Sequence, residues 1–219
     1  MSDQVTDQET VLPAGPASER TPVPWRAWGA VAGALLVAGA ALGGLGGWLW
    51  YQWWGPPNKG SIFDTTAYGI TWFDTTDKGI AQDFAGTGEY VVIGFGLGLV
   101  LGTIAAFVGR RHAFAALAAL LAGAALAAAL SWAVGTMLSP PDPQKFATEA
   151  NVCTELPCKE YPAAIEVNGW TPYLLWPIGA LTGFCATTFL LGTFVEVRRQ
   201  QHTHQQAGTW LERGGPADA

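Results

Sequence analysis

Apolar and polar residues in this chain are sorted into long blocks. Residues 27–50, 88–109, 113–138 and 172–195 contain no Asp, Glu, Lys or Arg except Glu89 near the start of the second run. An α-helix rises about 1.5 Å per residue, so about 20 apolar residues cross a hydrocarbon core of about 30 Å. Each run is long enough. The pattern predicts an all-α membrane protein with four transmembrane helices and two extracytoplasmic loops, 51–87 and 139–171, the first with short β-strands. The membrane domain spans 27–195, between a disordered cytoplasmic N-tail, 1–26, and a cytoplasmic C-tail, 196–219. The first run is read as a retained span. It lies behind a long polar tail and closes on Trp48-Leu49-Trp50-Tyr51 without a small-residue cleavage site.

Basic residues set the orientation. All seven Arg (20, 26, 110, 111, 198, 199 and 213) fall in the tails or in the tight link after the second run, and all four Lys (59, 78, 145 and 159) in the longer loops. Arg close to span ends retains a segment in the cytoplasm, so both termini and the "GRRHA" link are expected inside a bacterial plasma membrane. The net charge of −6 is then an exported one, because the outer loops and the start of span two hold ten acids against four Lys. No basic stripe exists to neutralise phosphates, and a nucleic-acid partner is not expected. Tryptophans gather at the expected outer ends of the spans (Trp48, Trp50, Trp53, Trp54, Trp170, Trp176) and at the inner end of the first (Trp25, Trp28). Such rings suit the membrane interface, and anchoring is the expected role of them all.

Helices in lipid associate by close packing, for which small residues are needed. Gly39, Gly43 and Gly47 recur every fourth residue in span one, as do Gly94, Gly98 and Gly102 in span two and Gly179 and Gly183 in span four. Span three uses Ala for eleven of residues 113–130. These ridges either pack one bundle or leave a face for another membrane protein. Thr103, Ser131, Thr136, Thr182 and Thr187 can add hydrogen bonds of about 0.6 kcal/mol each.

The first outer loop carries a doubled word. Phe63-Asp64-Thr65-Thr66 with Gly69-Ile70 returns ten residues later as Phe73-Asp74-Thr75-Thr76 with Gly79-Ile80. Phe and Thr favour strands and the intervening "AYG" and "TDKG" favour turns, predicting strands at 61–66, 70–75 and 79–84. So small a meander has little core of its own. Phe63, Trp72 and Phe73 are therefore expected to make outer-loop contacts, with the second loop, with the bilayer surface or as a docking surface for another protein. In that second loop, Cys153 and Cys158 of "CTELPC" are expected to form a disulfide, since exported thiols pair. Cys185, inside span four, is expected to be a small packing residue.

Candidate chemistry is sparse. His112, His202 and His204 all fall on the expected cytoplasmic side, so no outer Ser has a histidine to activate it. The "GFGLGLVLG" run lacks the strand and the Lys of a phosphate loop. No ionisable residue occupies the middle of a span, where ion and proton paths need one. Neither catalytic residues, a metal nor a cofactor is expected.

The chain resembles a family of small actinobacterial four-span membrane proteins carrying a domain of unknown function. The resemblance rests on "WWGPPNKG", "GEYVVIGFGLGLVLG", "GTMLSPP" and "TPYLLWPIGAL", in order, and covers roughly residues 45–190. It implies four spans and assigns no activity. The Phe-Asp-Thr-Thr duplication and the Cys pair depart from that pattern. Together these readings point to a non-enzymatic accessory or scaffold subunit of a larger membrane assembly, with the bilayer and other membrane-protein subunits as partners. The alternative is a transport component for a lipidic or neutral cell-envelope substrate.

Overall fold

The computed structural model describes residues 25–74, 76–110 and 113–212. Nearly all of the expected N-tail, Thr75, the Arg111-His112 link and residues 213–219 lie outside them. Four long helices dominate: α1 (Trp25–Trp54), α2 (Asp77–Val108), α3 (Ala113–Leu138) and α4 (Leu175–Glu212). Each supplies a stretch long and apolar enough to cross a membrane, namely Trp28–Trp54, Phe84–Val108, Ala113–Leu138 and Thr171–Thr193, the last begun by a 3-10 turn at Thr171–Leu174. Pro56 and Pro57 follow the end of α1, where the missing N–H groups forbid further helix. α4 continues past the expected span end at 195 through a segment rich in Arg and Gln, which are good helix formers.

Chain neighbours are not the closest neighbours. α1 packs most intimately on α3, and α2 on α4. Glycine is the reason. A methyl at Gly43 would stand 2.6 Å from the Ala127 carbonyl oxygen, one at Gly47 would meet the Ser131 carbonyl, and Gly39 lies against the backbone of Gly123. α3 answers at the same four-residue interval with Gly123, Ala127, Ser131 and Gly135. In the second pair, Gly94 faces the Trp176 indole, Gly98 the backbone of Ala180, and Gly102 the backbone of Ala180 and Phe184. From the other side, Gly179 and Gly183 lie on the backbone of Phe95 and Leu99. All eight ridge glycines thus face another helix of this bundle. Thr187 donates to Thr103 across the α2–α4 seam at 3.3 Å, whereas Thr136 and Thr182 donate to carbonyls of their own helices. The Ser131 hydroxyl is buried in the α1–α3 seam without a hydrogen-bond partner among the described residues.

The end of the bundle where α1 and α3 finish carries a small cap. Strands β1 (Lys59–Thr65), β2 (Gly69–Phe73) and β3 (Tyr161–Pro162) form an antiparallel sheet in the order β2-β1-β3. Ser61 pairs with Phe73 and Thr65 with Gly69, while Gly60 pairs with Tyr161. The expected strand at 79–84 is instead the opening of α2, and the third strand comes from the second loop. The Asp74 carboxylate explains the change. It accepts from the Thr76 N–H at 2.8 Å and from the Thr76 hydroxyl at 2.7 Å, turning the chain into helix directly after β2. In the first copy of the repeat, Thr65 does different work. Its hydroxyl donates to the Gly69 carbonyl and accepts from the Tyr68 N–H, closing a hairpin whose Gly69 has φ +67°.

Candidate functional site

The cap stands on an aromatic plug. Tyr90 of α2 is buried, and its hydroxyl donates to the Ala128 carbonyl of α3 at 2.8 Å. Its ring meets Trp50 of α1 and Tyr173, beside the start of α4, edge-on at centroid distances of 5.1 and 5.5 Å. One side chain therefore touches all four legs of the fold. The Trp50 indole, also fully buried, donates to the Gly86 carbonyl at 2.7 Å. Trp54, Trp176, Ala163 and Ile165 complete this cluster, so that residues of both loops share a core with the helix ends. The expected interfacial role therefore fails for Trp50, Trp54 and Trp176, which are buried. Trp25, Trp28, Trp48, Trp53 and Trp170 are exposed.

Side-chain bonds then fix the loops to one another. The Gln144 amide lies along the outer edge of β2, accepting from the Trp72 N–H at 3.1 Å and donating to the Ile70 carbonyl at 3.4 Å. It pairs that edge as a neighbouring strand would. On the other side of β1, Cys153 N–H donates to the Ile62 carbonyl and Ala163 N–H to the Asn58 carbonyl, both at 2.8 Å. The Trp72 indole donates to the Tyr161 carbonyl at 3.1 Å. Two hydroxyls tie this layer to the bundle, Ser139 accepting from Ile165 N–H and Thr87 from Asn168 N–H. The exposed Lys59–Glu160 ion pair, at 3.4 Å, adds little.

Cys153 and Cys158 are disulfide-bonded, with Cα atoms 5.3 Å apart, and Cys185 is free and exposed. Of the three expected loop contacts, Trp72 packs against the shared core and Phe63 is half-buried. Phe73 is 54% exposed within this chain. Ile62 is the buried residue instead. Strand side chains alternate between faces, so burying Ile62 turns its neighbour Phe63 the other way. Tyr90, Gln144 and Ile62 were all missed from sequence. Only Tyr90 left a signal, since a phenol inside an apolar run must find an acceptor.

Two clefts open in the cap. One, of about 400 Å³, lies between Trp54, Trp72, Gln144 and Asn168. The other, of about 450 Å³, lies between the end of α3 and the second loop, with Trp132, Thr136, Ser139 and Lys145 in its wall. Asp142 and Glu166 line both. The hydroxyls of the second cleft are committed to main-chain groups: Ser139 donates to the Pro140 carbonyl, and Thr136 to Trp132 and Ala133. The Asp142 carboxylate is engaged as well, accepting from the Gln144 N–H at 2.8 Å. Among the described residues, no three His, Cys, Asp or Glu side chains converge as metal ligands. Compared with known protein families, characterised proteins and solved structures, the chain matches none.

Proposed function

We propose that this chain is a multi-pass plasma-membrane protein that works without catalysis, as an accessory or scaffold subunit of a larger membrane assembly. Its tails and the Gly109–Ala113 link face the cytoplasm and its cap faces outward. It belongs, in this reading, with the actinobacterial four-span proteins that it resembles. The observation that carries the role is the joining of cap and bundle into one core around Tyr90, Trp50 and Trp176. A support must present its outer surface in fixed register with its membrane part. Backbone-to-backbone helix seams and a Tyr90 hydroxyl bonded across helices suit such a support better than a carrier that must rock open.

Purification in gentle detergent followed by mass spectrometry tests the role. A stoichiometric membrane-protein partner is expected, and a chain that runs alone or only with itself would count against it. The transport reading keeps one specific observation on its side, an apolar groove between α3 and α4 that meets the cap. Substrate-dependent flux in liposomes holding only this protein would favour that reading instead.

A further inference from the structure

We infer that the end of the bundle away from the cap holds one phospholipid of net negative charge, its phosphate on the Arg110 guanidinium and an acyl chain in the groove beside it. This rests on the membrane reading above. Ala106, Gly109, Arg110, Phe184, Thr188 and Leu191 line a groove of about 190 Å³ where α2 ends and α4 passes. That is below the range of sites that enclose whole small-molecule ligands, and it suits one segment of a narrow, flexible chain. From Phe184 to Leu191 the groove follows α4 for about 10 Å, about two-thirds of the depth of one leaflet.

The charge stands at the right depth. The apolar stretch of α2 stops at Val108, just before Arg110, and that of α4 stops at Thr193, just after Leu191. The guanidinium therefore lies at the boundary of the apolar zone, and the rest of the groove lies inside it. Arg110 is exposed and covers the Phe107 ring at 5.4 Å, and among the described residues it forms no ion pair or hydrogen bond. Its N–H donors form a rigid fork that matches two phosphate oxygens.

The groove's wall selects the sign of the headgroup. No Asp or Glu lines it, and the Thr188 hydroxyl is committed to the Phe184 and Cys185 carbonyls. The ammonium of a phosphoethanolamine or phosphocholine headgroup finds no carboxylate there and lies near the like charge of Arg110. Phosphoglycerol brings the phosphate without that cation. A wholly apolar ligand leaves the guanidinium unanswered. A partner helix, about 10 Å across, needs several times the groove's volume over the same length.

The full-length protein, stripped of lipid in mild detergent, is offered equal amounts of dioleoyl phosphatidylglycerol, phosphatidylethanolamine and phosphatidylcholine, and retained lipid is counted by native mass spectrometry. One phosphatidylglycerol per chain is expected, enriched about fivefold over either competitor, the weight of one Arg at an anionic membrane surface. Arg110→Gln brings the three lipids to parity. Thr188 is exposed on α4, so Thr188→Trp fills the groove without entering the core and removes the retained lipid. Arg26, exposed near the start of α1, does not line the groove, and Arg26→Gln keeps the preference. Equal retention of the three lipids overturns the proposal. Equal losses in Arg26→Gln and Arg110→Gln do so as well, because they mark diffuse attraction and not a site. Preference that survives Thr188→Trp shows a phosphate held without its chain, and a photo-cross-linker at position 188 that captures a protein in native membranes shows another occupant; either overturns it. Alkaline carbonate extraction separates the two levels. Release of the chain sinks the membrane reading itself, whereas a chain that stays embedded yet selects no lipid sinks only this inference.

Discussion

Tyr90 concentrates the fold's energetics in one side chain. Its ring provides edge-on contacts to Trp50 and Tyr173, and its hydroxyl gives the Ala128 carbonyl a second hydrogen bond beyond the helical one. Tyr90→Phe keeps the rings and removes only the bond, a net loss of about 0.5–1.5 kcal/mol. Tyr90→Ala also opens a cavity and should cost about 3–5 kcal/mol. Thermal unfolding in detergent micelles, with a clear drop in midpoint for Phe and a much larger one for Ala, checks this order. A second residue-level contrast separates neighbours in the sheet. Ile62 is fully buried while Phe73 is mostly exposed. Ile62→Ser should therefore loosen the sheet, raising amide exchange across 59–73, and Phe73→Ser should leave that exchange nearly unchanged. Equal effects would show that the hairpin is held by the residues the repeat advertises and not by those it buries.

At the scale of elements, the helices were legible because length and lack of charge specify them without knowledge of their neighbours. The sheet was legible only in its local half. The β1–β2 hairpin follows from Thr65 and Gly69, which act within five residues of chain. Its third strand depends on Tyr161, far away in sequence, and no local pattern announces it. The two copies of Phe-Asp-Thr-Thr diverge for the same reason. Asp64 is exposed on a strand, whereas Asp74 is buried and holds Thr76, the residue that precedes α2. The glycine spacing was equally visible, but the choice of α1 with α3 and α2 with α4 was not, because every span has a small-residue face. That pairing makes a sharp contrast between adjacent glycines. A methyl at Gly43 meets α3 backbone, which can yield only if the helices part, so Gly43→Ala should destabilise by about 1–3 kcal/mol. Gly44 has open space around its Cβ position, and Gly44→Ala should be neutral or gain up to about 1 kcal/mol from helix propensity. Thermal midpoints of the two single variants decide it.

Across the whole molecule, the distribution of charge and the position of the cap make one statement about orientation. Lys59, Lys145 and Lys159 belong to the cap with its excess of carboxylates, and Arg110 stands at the opposite end, its guanidinium over the Phe107 ring at 5.4 Å. Arg flanking a short link between two apolar helices holds that link in the cytoplasm, while a larger folded unit can be exported whatever its few Lys. The Cys153–Cys158 disulfide agrees, because such bonds persist in oxidising compartments. The cap should therefore face outward. Single cysteines placed at Ser61, Thr148 or His112, in a chain whose three native cysteines are replaced by Ser, turn this into a measurement on intact cells. Thr148 is exposed and Ser61 half-buried in the cap, so a membrane-impermeant maleimide should label the first fully and the second more slowly. The cysteine at 112 should react only after the membrane is permeabilised. Labelling at 112 in intact cells, with 61 and 148 protected, would invert the molecule and place the cap, with both its clefts, in the cytoplasm.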